Sequence, residues 1–156
     1  MKYKTWKAEV PSEITSDAVW SVKVYRIALF LADLCWEDIK PIINQRLSSL
    51  SDQLYRSLGS ISANITEGYS RSSHKDQARF YEIALGSTRE AKDWYFKSRH
   101  ILGDELATHR IKILTSITKL LLVMVKERRS ANQVKEPKAE YNISLEELLE
   151  KTPTSR

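Results

Sequence analysis

The sequence predicts an all-α fold, an antiparallel up-and-down four-helix bundle, and three features point to it. Four Gly and four Pro among 156 residues leave too little turn punctuation for an all-β chain. Apolar residues recur at spacings of three and four along four separate runs, the period of helices that each bury one face. Short connections join the runs, so each helix must turn back along its predecessor. One domain of this length can bury a core without disulfides or a structural metal.

Residues 1–16, with Pro11 and no sustained period, read as an extended N-terminal arm. The first helix is expected over about 17–45, with Ser16 or Asp17 able to accept a hydrogen bond from the free amides of its first turn. Its stripe is Val22, Tyr25, Leu29, Ala32, Trp36, Ile39 and Ile43, widened by Val24, Ala28, Leu31 and Cys35. A helix apolar over so much of its circumference needs a second neighbour, another helix or another subunit. Pro41 lacks an amide, so the helix should kink or fray there.

The second helix is expected over 47–69, on Leu47, Leu50, Leu54, Leu58, Ile61 and Ile65 beside a small-residue seam of Gly59, Ser62 and Thr66. Gly68 stands where the run stops and fits a left-handed terminator. Ser73 and Asp76 have capping spacing at the start of the third helix, 73–102, whose stripe is Tyr81, Leu85, Thr88, Ala91, Tyr95, Ser98 and Leu102. Gly103-Asp104 should close it and cap the fourth, 104–130, marked by Leu106, Ile113, Ile117, Leu120 and Met124. Residues 131–156 form a tail of different composition, with Pro137, Pro153 and an acidic stretch whose Ser144 and Glu147 could cap a short helix over 144–151. Asn142-Ile143-Ser144 matches a glycosylation acceptor, but this pattern carries no information without a secretory signal.

No catalytic constellation emerges. The residues three before His74, His100 and His109 are Arg71, Lys97 and Leu106, so the Glu-x-x-His pairs of a di-iron bundle are missing. There is no His-Glu-x-x-His zinc motif, glycine-rich phosphate loop or nucleophile elbow. Cys35, the single cysteine, sits between Leu34 and Trp36 and reads as a packed thiol. Glu67 and Glu90 fall on apolar or small-residue stretches and read as structural anchors in preference to acid–base groups. No metal, cofactor or enzymatic activity is expected. The N-terminus lacks the apolar run of a signal peptide, and the run Leu120–Val125 is far too short to span a bilayer, which predicts a cytoplasmic protein with no membrane partner.

Basic residues carry the functional hint. Lys112, Lys119 and Lys126 recur every seven residues, Lys92 and Arg99 do likewise on the third helix, and Arg71, Lys75 and Arg79 surround the preceding turn. Arg128 and Arg129 end the fourth helix, where positive charge complements the helix dipole. Residues 72–130 hold 12 Lys or Arg against 7 Asp or Glu, an excess that equals the net charge of +5. Such a surface could track phosphates. An ordinary solvated face with interleaved acids would give the same pattern.

The stretch from Ser60 to Arg71, Ser-Ile-Ser-Ala-Asn-Ile-Thr-Glu-Gly-Tyr-Ser-Arg, resembles a bacterial four-helix-bundle family encoded within intervening sequences of large-subunit ribosomal RNA genes. Arg79-Phe80, Ala84 to Ser87 with Glu90, and Val24-Tyr25 fit the same family. The resemblance covers roughly residues 17–130 and makes Asn64, Glu67, Gly68, Tyr69, Arg71 and Glu90 the signature positions. Ser62, Thr66 and Ser70 depart from the proline, alanine and glycine common there. The resemblance implies a homo-oligomeric ring, specifically a homopentamer. It also implies kinship with the accessory variability determinants of diversity-generating retroelements, basic bundles that bind nucleic acid and a reverse transcriptase. The function expected from residues and resemblance together is a non-enzymatic accessory protein that binds nucleic acid, RNA foremost, without reading sequence. The alternative is an oligomeric protein–protein scaffold with the tail as docking segment.

Overall fold

A computed structural model describes residues 1–130 and 144–153, and among these every regular element is helical. The glycosylation pattern at Asn142 and Ile143, Pro137, and the rest of the tail at 131–143 and 154–156 lie outside the described residues. The helices are α1 (Tyr3–Glu9), α2 (Ser12–Thr15), a 3-10 turn (Ala18–Ser21), α3 (Lys23–Asp38), α4 (Lys40–Asn44), α5 (Ser48–Tyr69), α6 (His74–Leu102), α7 (Asp104–Arg129) and α8 (Leu145–Glu150). The four longest enclose the core: α6 packs along both α5 and α7, and α3 packs against α5 and α7.

Residues 1–16 are not extended. They form α1 and α2, because Trp6 of α1 has an apolar surface to bury. Its ring lies 5.2 Å from that of Phe30 and 6.2 Å from that of Trp20, and its indole N–H donates to Asp33 at 2.9 Å. This arm adds to α5 and α7 as a further cover over the wide apolar surface of α3.

The predicted first helix is three elements. Asp17 accepts from the amide of Val19 at 3.0 Å and opens the 3-10 turn, while α3 begins later, after Val22. The axis then breaks at Ile39, and Pro41 occupies the first turn of α4, where its missing amide costs nothing. The stripe also rotates from the expected one. Val24, Ala28, Leu31 and Cys35 form the buried centre, whereas Trp36 is 56% exposed and Ile43 49%. Both stripes have helical spacing, so period alone does not rank them.

In α5, Leu54, Leu58, Ile61 and Ile65 are buried as expected, but Leu47 is exposed. Gly68 is no left-handed terminator, since the positive-φ glycine is Gly103 at φ 83. Gly68 is instead a point of close approach: a Cβ there would lie 2.7 Å from Cε1 of Tyr81. Within the seam, a Cβ at Gly59 would meet nothing within 4 Å, so close packing of α5 on α6 comes later in the helix than the seam suggested. The whole predicted stripe of α6 is buried, and Ser73 accepts from the amide of Asp76 at 3.0 Å. Gly103 itself precedes α7, and Asp104 is its first residue with no capping bond. Its carboxylate and that of Glu105 still complement the dipole of the first turn.

Candidate nucleic-acid interface

Helices α6 and α7 lie side by side and carry most of the predicted cationic positions. On α7, a seven-residue interval returns nearly to the same side after about 10.5 Å of rise. Lys112, Lys119 and Lys126 accordingly share one side, and all three are exposed. On α6, Lys92 and Arg99 are half-buried. Burial lowers the Lys92 pKa from its ordinary value, and the neighbouring Arg89 pushes it in the same direction.

The predicted cations divide into two sets. Lys75, Arg79, Lys112 and Lys126 are exposed and make no ion pair among the described residues. Apart from the half-buried Lys92, the others are partly engaged within the chain. Arg71 pairs with Glu67 and lies 4.9 Å from the centre of the Phe80 ring. Arg99 stacks 3.9 Å from the centre of the Phe96 ring and donates to the Phe96 carbonyl at 2.7 Å. Arg129 forms a two-pronged pair with Glu82, one arm at 2.6 Å, and that carboxylate raises its pKa. Arg128 is half-buried beside Tyr81, whose phenol pKa is raised by burial although Arg128 opposes the shift. Several of the interleaved acids are likewise occupied: Glu82 with Arg129, and Asp93 with Lys97 at 2.5 Å.

Glu67 and Glu90 do not face each other as anchors. Glu67 pairs with Arg71 just beyond the end of its own helix, and the exposed Glu90 accepts from the Trp94 indole at 3.2 Å. Asn64 donates to the Ser60 carbonyl at 2.8 Å, and Ser60 meets Ser87 of α6 at 2.9 Å. Tyr69 is 39% exposed. Cys35 is a buried free thiol, and desolvation, reinforced by the charge of Asp38, pushes its pKa up to about 12, which makes it unreactive.

A second charged cluster was missed from the sequence. Asp38 and Arg110 are 1% and 2% exposed and form a bidentate pair, Nε to Oδ2 at 2.8 Å and Nη2 to Oδ1 at 2.9 Å. The buried Tyr95 hydroxyl donates to Asp38 Oδ2 at 2.8 Å, and burial, with Asp38 next, holds its pKa well above the ordinary 10.0. Arg110 Nη1 meets His109 Nδ1 at 3.0 Å. The signal was present in the pattern: Asp38 extends the series Val24, Ala28, Leu31, Cys35, and Arg110 falls between Leu106 and Ile113 on the stripe of α7. Opposite charges at core positions of two helices announce a buried pair. This cluster ties α3, α6 and α7 together.

Among the described residues no group of three or more His, Cys, Asp or Glu is placed to hold a metal, and no helix is long and apolar enough to cross a membrane. Residues 21–122 match the family model described as 23S rRNA-intervening sequence protein. No curated protein and no solved structure matches the chain.

Proposed function

We propose that this chain, which belongs to the 23S rRNA-intervening sequence protein family, is a non-enzymatic accessory protein that binds structured RNA without reading its sequence. The observation that carries this reading is the exposed line of Lys112, Lys119 and Lys126 on α7, with Lys92 and Arg99 on the neighbouring α6. Lysines along a rod contact phosphates as point charges and impose little geometry on the bases. Cytoplasmic location accords with such a partner.

We further propose that the long helices form an antiparallel up-and-down four-helix bundle that assembles into a homo-oligomeric ring, a pentamer in this reading. Supporting the antiparallel order, Ser60 meets Ser87 while Gly68, further along α5, meets Tyr81, which comes earlier in α6. Supporting assembly, Trp36, Ile43, Leu47 and Tyr55 are large apolar side chains left exposed. A ring would present several lysine lines to one RNA and multiply weak contacts. A reverse transcriptase as protein partner belongs to the same proposal and is tested by copurification.

The experiment is a titration of structured RNA from low to moderate salt. Affinity should fall steeply with salt, since each phosphate contact releases counterions. Absence of binding at low salt would reject the proposal.

A further inference from the structure

The tail segment 144–153 is seated on the body of the protein, and its seat contains a titratable group. Leu149 of α8 is 4% exposed, and α8 packs on α7 and α1. Glu146 pairs with Lys23 at 3.1 Å, Glu150 accepts from the Lys4 amide at 3.2 Å, and the Thr152 hydroxyl donates to the Met1 carbonyl. Two further bonds run from α7 to tail carbonyls: His109 Nε2 to Leu148 O at 2.5 Å, and Arg110 Nη2 to Pro153 O at 3.2 Å.

The tautomer of His109 follows from its partners. Arg110 Nη1 can only donate, so Nδ1 of His109 accepts and Nε2 carries the hydrogen given to Leu148. Both ring nitrogens are committed while the imidazole is neutral. Protonation would place an N–H on Nδ1 facing the guanidinium N–H 3.0 Å away, two donors and two positive charges in contact. Arg110 cannot yield, because Asp38 grips it in two places. The imidazole must therefore swing away, and Nε2 leaves the Leu148 carbonyl.

We infer that residues 144–153 form a detachable latch on α7 that stays seated while His109 is neutral and lets go when that imidazole takes up a proton. Lys112 from α7 itself disfavours the cation, whereas the Leu148 carbonyl and Asp38 from α3 favour it, and burial and Arg110 outweigh these two. Asp104, Glu105 and Lys151 line the adjoining cleft of about 380 Å³, which His109 also borders. Burial, then Arg110, lowers the His109 pKa from 6.5. The sign follows from linkage: the seated tail adds to the burial that disfavours the cation, and with that burial outweighing the Leu148 bond the seated state binds the proton less well than the released one. The latch therefore holds fully above pH 6.5 and weakens as pH falls from there through the lowered pKa.

The test is amide hydrogen exchange on the full chain at about pH 7.5 and about pH 5, corrected for intrinsic rates, with α6 as internal reference. Protection of 145–150 should drop by as much as about tenfold per pH unit below 6.5, while α6 keeps its protection. In His109→Gln the carboxamide can still donate to Leu148 but does not titrate, so 145–150 should be protected equally at both pH values. Equal protection in the unaltered chain would overturn the latch. So would the same pH-dependent drop in His109→Gln, or loss of protection in α6 together with the tail.

Discussion

Arg110 and Lys112 stand two residues apart on α7, and the helix turns one inward and the other to the surface. Arg110 is sunk in the core and held by Asp38 in a bidentate bond at 2.8 and 2.9 Å. Lys112 begins an exposed line that continues through Lys119 and Lys126. The inner charge is spent on geometry: it fixes α3, α6 and α7 relative to one another through Asp38 and Tyr95. The outer charges hold nothing of comparable strength in place, since exposed pairs contribute only about 0–1 kcal/mol. On α7, the buried Arg110 serves the fold, and the exposed lysines are those that the proposed function assigns to a partner.

The comparison breaks most easily at the inner pair. Asp38→Ala leaves the Arg110 guanidinium buried without its partner and should cost about 3–5 kcal/mol in urea denaturation. A loss below about 1 kcal/mol would mean that water reaches the pair. Replacing both members by apolar residues of similar volume sharpens the point, because most of that loss should then be recovered.

A smaller effect is expected where α5 meets α6. Gly68→Ala places a methyl group 2.7 Å from the Tyr81 ring. Overpacking of about 1–3 kcal/mol is offset by about 1 kcal/mol of improved helix propensity, so a net loss of about 1 kcal/mol should appear in the same measurement. The smallest effect on stability belongs to Trp36, which is 56% exposed and touches Tyr55 edge-on at 5.9 Å. Trp36→Ser should cost less than about 1 kcal/mol yet reduce the particle mass by light scattering if that surface joins subunits. An unchanged mass would remove Trp36 from the proposed interface.

Much of this arrangement was legible beforehand, unevenly. The stripe of α6 was read residue by residue because one face is apolar and the other polar, so a single period fits. On α3 two stripes compete, and which one faces the core depends on where Trp6 and the arm dock, a long-range contact that local spacing does not encode. Gly68 looked like a terminator because glycine favours both helix ends and close approaches, and only the position of Tyr81 distinguishes them. The lysine line was visible because a seven-residue period brings three charged side chains to one side of a helix. The Asp38–Arg110 pair was overlooked because charged residues are normally assigned outward, although both lie on apolar stripes. The seating of the tail could not be read, since its bonds use backbone carbonyls of Leu148 and Pro153, which every residue possesses.

The division between inner and outer charge is tested most directly by the salt dependence of RNA binding, compared between the unaltered chain and Lys112→Glu/Lys119→Glu/Lys126→Glu. The account predicts that the triple variant unfolds within about 0.5 kcal/mol of the original. It also predicts much weaker RNA binding, with a log–log salt slope shallower by about two to three, the loss of three phosphate contacts. Equal affinity and equal slope in the two proteins, with the fold intact, would contradict it.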